Sequence, residues 1–126
     1  MRLLLDTVAF LWALDDPRRL SGPARSALAN TKAVREISSL SLSEIAIKVA
    51  LGKLKLQKVD VMDGLSDLRL RVLPYTAEHA CRFFGLPPRH DDPFDRQIIA
   101  QALAEDVPVV TPDSAFRLYE DLRVIW

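Results

Sequence analysis

The sequence contains a single cysteine, Cys81, among its 126 residues and so cannot form an internal disulfide. Because Cys81 lies in a helical pattern with Ala80 and Phe83, we expect a buried small apolar side chain and a reducing compartment. No apolar run approaches the roughly 18 residues that cross a bilayer, since the N-terminal run 3–5 stops at Asp6. These absences predict a cytoplasmic protein.

An excess of one charge is also absent, because 17 lysines and arginines balance 17 aspartates and glutamates. The overall charge therefore gives no argument for a polyanionic partner. The one local concentration of positive charge, at Lys53, Lys55 and Lys58, is either a solvated face or an edge that contacts phosphates. With 49% hydrophobic and 27% charged residues and no linker, the chain is expected to form one domain over residues 1–126.

Strand-like and helix-like patterns alternate along the chain. Strands are predicted at residues 2–5, 33–40, 70–73, 107–111 and 123–126. Helices are predicted at residues 7–14, 21–30, 41–51, 61–68 and 76–84, and further helices begin at Pro93 and Pro112. This alternation predicts a three-layer α/β/α fold with a mainly parallel central sheet and right-handed crossovers.

The most informative stretch is residues 90–105. Asp92 followed by Pro93 is typical of a helix N-cap and first helical residue. Asp95 heads a core-facing stripe whose apolar residues have spacings of three and four, namely Ile98, Ile99, Ala102 and Leu103. A carboxylate on that side needs a cation, a proton or several donors, since an unpaired charge there is unfavourable. His90 is interpreted as a loop histidine rather than a ligand or base.

Acids follow the predicted strands repeatedly. Asp6, Glu44 and Asp113 each come directly after a strand, and Asp95 begins a helix in the same pattern. In open parallel sheets, ligand sites lie beyond the carboxyl ends of the strands, where the strand order reverses. Carboxylates without histidine or thiolate neighbours suit Mg²⁺ or Mn²⁺ better than zinc. Such an ion would offset the repulsion among the acids, activate a water and stabilise charge on a phosphodiester.

Two neighbouring hydroxyls, those of Thr7 and Thr111, are candidates for orienting the metal ligands. Helix capping is the alternative explanation for the acids. Glu44 has the spacing of a capping box with Ser41, and Lys48 is placed for a surface pair with it. On that interpretation the chain is a non-catalytic α/β interaction domain. A phosphoryl-transfer enzyme of receiver or phosphatase type also places acids at strand ends, but the first strand lacks the D-x-D of the phosphatases.

Four segments resemble the PIN-domain nucleases, and within them the VapC-type toxins of toxin-antitoxin pairs. The segments are Leu-Leu-Leu-Asp6-Thr7, Ser-Leu-Ser-Glu44-Ile-Ala-Ile-Lys48 followed by Gly52-Lys53-Leu54, His90-x-Asp92-Pro-Phe-Asp95-Arg96, and Thr111-Pro-Asp113-Ser-Ala-Phe116. The third is the most specific, and together they span nearly the whole chain. Ser43 is a departure, since many relatives have a large aromatic residue there.

The resemblance implies a PIN-like fold and assigns the acidic metal site to Asp6, Glu44, Asp95 and Asp113. It treats Asp92 as a helix cap. It also implies an endoribonuclease that uses Mg²⁺, with Mn²⁺ as the alternative ion, and that arrests translation by cutting RNA. An antitoxin that covers the cleft and a homodimer are the implied protein partners. Arg89 and Arg96 are the hypothetical phosphate contacts.

Overall fold

The computed structural model describes residues 1–126 and contains five strands, six α-helices and two short 3₁₀ helices. The strands are β1 (Arg2–Leu5), β2 (Val34–Ser38), β3 (Arg71–Leu73), β4 (Val109–Val110) and β5 (Val124–Ile125). The α-helices are α1 (Thr7–Asp15), α2 (Gly22–Ala29), α3 (Ser39–Ala50), α4 (Lys58–Asp67), α5 (Ala77–Phe84) and α6 (Pro93–Glu105). The 3₁₀ helices are Pro17–Arg19 and Ser114–Leu118. No helix combines the length and the apolarity needed to cross a membrane.

All five strands pair in parallel, in the order β3-β2-β1-β4-β5. The chain builds outward from β1 to β3, then returns and adds β4 and β5 on the other side of β1. The strand order therefore reverses between β1 and β4, and the crevice for a ligand in such sheets lies beyond the carboxyl ends of these two strands. Asp6 and Thr111 are the residues that directly follow them.

The central strand β1 divides the core into two layers because successive side chains on a strand point to opposite faces. Leu3 and Leu5 pack into one core with Phe10 of α1. Leu4 packs into the other core with Ile98 and Ile99 of α6. All three leucines are fully buried, as expected of a parallel strand covered on both faces. This arrangement confirms the predicted three-layer α/β/α fold.

Several local predictions are wrong. Helix α3 begins at Ser39 with Ser38 as its N-cap, so Glu44 lies in the second turn and forms no capping box with Ser41. The segment after β4 is a 3₁₀ helix that begins at Ser114 rather than a helix that begins at Pro112. Cys81 is exposed rather than buried.

The N-terminus of α6 is as predicted. Asp92 is its N-cap and accepts hydrogen bonds from the backbone N–H groups of Phe94 and Asp95, with Pro93 as the first helical residue. This cap fixes where α6 begins, and so places Asp95 in its first turn, above the core stripe of the same helix.

Candidate active site

Asp6 links the carboxyl ends of β1 and β4, where the strand order reverses. It is the N-cap of α1, where its Oδ1 accepts a hydrogen bond from the backbone N–H of Ala9 at 2.8 Å. Its Oδ2 accepts the Thr111 hydroxyl at 2.5 Å, which links β1 to β4. Only 2% of Asp6 and 1% of Thr111 is exposed. Asp6 is thus a helix cap, as the alternative interpretation expected, but one buried beside a second strand end.

Glu44 is buried on α3 and meets the first turn of α1. Thr7 Oγ1 lies 2.7 Å from Glu44 Oε1 and 2.9 Å from Ser41 Oγ. An ionised carboxylate only accepts hydrogen bonds, so the Thr7 hydroxyl donates to Glu44. The Thr7 oxygen in turn accepts a hydrogen bond from the Ser41 hydroxyl. Lys48 Nζ lies 2.8 Å from Glu44 Oε2, so the predicted pair exists. It sits at the edge of the site rather than on the open surface, because the Glu44 side chain is only 8% exposed.

Asp95 is held differently from the other acids. Its side chain is 17% exposed, and its neighbour is His90, whose Nε2 lies 3.5 Å from Asp95 Oδ2. His90 Nδ1 in turn lies 2.8 Å from the hydroxyl oxygen of Tyr119. His90 lies in the loop before α6, as interpreted, but its ring is only 14% exposed and packs against Phe116. The sequence gives the spacing of His90 and Asp95 but no sign that Tyr119 approaches them.

Asp113 caps the 3₁₀ helix that follows β4. Its Oδ1 accepts a hydrogen bond from the backbone N–H of Ala115 at 2.9 Å. Its own backbone N–H donates to Thr111 Oγ1 at 3.0 Å. The Thr111 hydroxyl group thus lies between Asp113 and Asp6 and ties the β4 end to the β1 end.

Two of the four predicted acids, Asp6 and Asp95, have raised pKa values, and neighbouring acids contribute to both shifts. Burial raises the pKa of Asp6 to about 7, with repulsion from Asp113 and Glu44 adding to it and the hydrogen bonds opposing it. Burial also raises the pKa of Asp95 to about 8, with repulsion from Asp92, Asp6, Asp113 and Glu44 adding to it. Ionisation of Asp6 and Asp95 is therefore opposed first by burial and then by the charges of neighbouring acids.

Lys48 is the positively charged side chain beside these acids. Its pKa is raised first by the hydrogen bond to Glu44 and then by the charges of Glu44, Asp92 and Asp95, while burial opposes the shift. The sequence placed Lys48 in a surface pair, so its position beside several acids went unrecognised. Its ammonium group balances part of the charge of the site.

The donor chemistry of this site fits a hard divalent cation, because the available ligands are mainly carboxylate and hydroxyl oxygens, although the imidazole of His90 lies beside Asp95 where the sequence predicted no histidine neighbour. The side chains do not form a ready chelate, however, since no group of three or more His, Cys, Asp or Glu residues is placed to hold a metal ion. The carboxylates are instead turned toward Thr111, Thr7, Lys48 and backbone N–H groups. A metal bound by several of them requires side-chain rotation.

The two predicted phosphate contacts have no bond to the acids in this structure. Arg96 donates to the Leu86 carbonyl at 3.2 Å, and its guanidinium lies 5.1 Å from the centre of the Phe83 ring. Arg89 is exposed and borders a shallow pocket with Glu120. Their role toward RNA stays a prediction.

Comparison with known proteins identifies the family of this chain. The PIN-domain model matches residues 3–122. A chain of VapBC2 from Rickettsia felis, solved with a promoter DNA fragment, is 20% identical with a TM-score of 0.73, over 98% of this chain and 97% of that one. A chain of DNA-bound VapBC from Salmonella typhimurium is 21% identical with a TM-score of 0.70, over 98% and 96%.

A chain of a toxin-antitoxin complex from Klebsiella pneumoniae is 16% identical with a TM-score of 0.61, over 89% of this chain and 87% of that one. No curated protein matches the chain. At these identities the solved structures establish a shared fold, whereas the family model spans almost the whole sequence. The chain therefore belongs to the PIN-domain family.

Proposed function

We propose that this chain is a divalent-metal-dependent endoribonuclease and the toxin of a toxin-antitoxin pair, acting in the cytoplasm. The observation that carries the proposal is the mutual repulsion of buried acids where the sheet reverses its order. Asp6 and Asp95 come from different elements, and each has its pKa raised first by burial and further by other acids of the site. Helix capping alone gives no reason to gather charge in this way, whereas a doubly positive ion does.

The proposed ligands are Asp6, Glu44, Asp95 and Asp113, with Mg²⁺ as the ion and Mn²⁺ as the alternative. Bound there, the ion would supply an activated water and stabilise the charge that develops on a phosphodiester. The Thr111 hydroxyl holds the Asp6 carboxylate, and the Thr7 hydroxyl holds that of Glu44. These hydrogen bonds favour one orientation of each carboxylate, and metal ligands are typically oriented by such neighbouring groups.

An apolar groove between α3 and α4 supports an antitoxin partner. The groove has a volume of about 420 Å³. Its apolar lining comprises Leu42, Ile45, Ala46, Val49, Ala50, Leu56, Val61 and Met62. Lys58 also lines the groove, and Lys53 and Lys55 precede it in the same basic segment. We therefore propose that an amphipathic antitoxin helix with acidic flanking residues docks here, as helices do in apolar grooves. Val49→Glu is expected to abolish capture of the antitoxin encoded beside this gene.

A homodimer is proposed from the outer face of α5. Phe84 is 93% exposed, and Ala77, Cys81 and Phe84 form one apolar stripe on the side of the helix opposite the buried His79. Two such stripes in antiparallel contact place Phe84 over the small Ala77 of the second copy. The same contact brings Glu78 near the second copy's Arg82, an opposite charge.

An RNA cleavage assay with matched aspartate variants tests the nuclease proposal. Purified chain is incubated with total cellular RNA in Mg²⁺, Mn²⁺ or EDTA, and the cleavage ends are sequenced. Wild type is expected to cut at defined sites with either ion and not with EDTA, and Asp95→Asn is expected to lose cleavage. Asp63→Asn, an exposed aspartate on α4, is the control and keeps it.

If wild type and Asp95→Asn behave alike, or if EDTA has no effect, the metal-dependent nuclease is the wrong function. A chain that neither cuts RNA nor responds to either ion is instead the interaction domain, in which the acids only cap helices. Thermal unfolding with and without Mn²⁺ separates that outcome from a nuclease with an unsuitable RNA substrate, since binding of the ion raises the melting temperature.

A further inference from the structure

His90 presents an unpartnered ring nitrogen to the acid site. Its Nε2 is buried and has no hydrogen-bond partner, and it lies 3.5 Å from Asp95 Oδ2. A buried nitrogen is seldom left without a partner, because losing its contact with water is unfavourable. The ring is held on its other sides by Phe116, with centroids 6.4 Å apart, and by the Tyr119 ring at 5.5 Å. Its direction toward Asp95 is thus set by packing.

Tyr119 determines which nitrogen of His90 carries the proton. Its hydroxyl oxygen lies 2.8 Å from His90 Nδ1, and the residue is only 4% exposed. When the buried hydroxyl donates to Nδ1, the neutral ring carries its hydrogen on Nε2. When Asp95 is ionised, the reverse arrangement leaves the hydroxyl hydrogen without an acceptor and points the lone pair of Nε2 at the carboxylate. The first arrangement is therefore the favourable one.

Asp95 is the one acid of the site that lacks another donor. Asp6 accepts from Ala9 and Thr111, and Glu44 accepts from Thr7 and Lys48. The Asp95 carboxylate has only His90 Nε2 within reach. An N–H at that position closes to hydrogen-bond length with a small rotation of the carboxylate.

We propose that Tyr119 and His90 are positioning residues for Asp95. Tyr119 fixes the Nε2–H form of His90, and this N–H orients the Asp95 carboxylate toward the other acids. The assignment of Asp95 as a metal ligand rests on the proposed function, whereas the proton on Nε2 does not. Outer groups that orient a ligand typically change metal affinity by about 10-fold to 100-fold. We expect about a 10-fold loss here when the Tyr119 hydroxyl is removed.

Nitrogen-15 NMR of the metal-free chain tests the proton position directly. The chain has two histidines, so the imidazole signals are assigned by substitution of either one. At about pH 9.5, where an imidazole is ordinarily neutral and the Asp95 carboxyl is ionised, His90 is expected in the Nε2–H form. In Tyr119→Phe it should become a mixture of the two forms. His79 is the internal reference, because its Nδ1 accepts the Thr76 backbone N–H in every variant.

The control for Tyr119→Phe is Tyr75→Phe, which removes the chain's other tyrosine hydroxyl, a buried group without a partner. It should leave the His90 signals unchanged. A wild-type His90 in the Nδ1–H form overturns the proposal, and so does a Tyr119→Phe spectrum identical to that of the wild type.

Mn²⁺ titration followed by electron paramagnetic resonance tests the effect on Asp95. Tyr119→Phe and His90→Ala should bind Mn²⁺ about 10-fold more weakly. His90→Gln, whose amide N–H reaches the position of Nε2, should recover most of the affinity. At saturating Mn²⁺ the kcat of Tyr119→Phe should return toward the wild-type value, with the KM for RNA unchanged throughout.

Asp95→Asn separates the two proposals. If it weakens Mn²⁺ binding while Tyr119→Phe and His90→Ala bind within twofold of wild type, the positioning role is wrong and the metal site stands. If Asp95→Asn also binds Mn²⁺ like wild type, the assignment of Asp95 as a ligand and the positioning role fail together.

Discussion

Replacing Asp95 with asparagine should stabilise the metal-free protein at alkaline pH. The side chain is 17% exposed, accepts no hydrogen bond at normal length and faces four other acids. Burial and repulsion raise its pKa to about 8, so ionisation of this carboxyl opposes folding. Asparagine keeps the shape of the side chain and removes the charge. A residue proposed to serve a metal thus destabilises the fold when no ion is bound.

The sign of the pH dependence follows from the direction of the shift. The folded-state pKa is about 8 and the ordinary value is 3.8, so the folded protein holds this proton more tightly than the unfolded chain. The stability from the protonated acid is fully present below about pH 4 and is lost as pH rises through about 8. At ~1.4 kcal/mol per unit of pKa shift, ionisation of Asp95 lowers the free energy of unfolding by at most about 5–6 kcal/mol. Because water still reaches the side chain and rotation relieves repulsion, we expect a measured difference of about 2 kcal/mol.

Urea unfolding in EDTA at about pH 5 and about pH 8.5 measures the effect, with the slope checked for each variant. Asp95→Asn should exceed the wild-type free energy of unfolding only slightly at the lower pH and by about 2 kcal/mol at the higher pH. With Mn²⁺ the order should reverse, because only wild type gains from the ion. A difference that is equal at both pH values would refute the electrostatic reasoning. Asp63→Asn, which alters an exposed acid, should show no such pH dependence.

Three further predictions follow from the site and the α5 face. Thr111→Val should weaken Mn²⁺ binding and lower the free energy of unfolding by about 1–2 kcal/mol, since Asp6 Oδ2 loses its buried donor; equal affinity and stability would contradict this. At limiting Mg²⁺, kcat/KM for RNA cleavage should rise between pH 6 and pH 8.5, because protons on Asp6 and Asp95 compete with the ion. The pKa values of these two acids are about 7 and about 8. A flat pH profile would contradict this competition. Phe84→Ser should yield monomers by sedimentation analysis, whereas an unchanged mass would exclude α5 as the dimer face.

The sequence predicted the architecture because each strand and helix is marked locally. The apolar run 3–5, the Asp92-Pro93 helix start and the β-branched run before Thr111 each specify an element through short-range chemistry. Their alternation then leaves few topologies for a parallel sheet. Asp6 and Thr111 accordingly lie where the strand order reverses, joined by a hydrogen bond.

The incorrect predictions share a physical cause, since each depended on packing that spacing does not encode. Several serines near the start of α3 are able to cap a helix, and the end of β2 selects Ser38. Helix α5 has apolar residues on more than one side, and it buries His79 while leaving Cys81 exposed. The approach of Tyr119 to His90, across 29 residues of sequence, likewise follows only from tertiary structure.

The hydrogen bond between Thr111 and Asp6 joins residues 105 positions apart. During synthesis, a growing polypeptide therefore carries Asp6 and its local partner Ala9 from the outset but lacks the Thr111 donor until β4 has left the ribosome and paired with β1. Contacts of such separation form late, because a long loop must close first. The link between the β1 and β4 ends is consequently absent from nascent chains and forms only once most of the chain has been made.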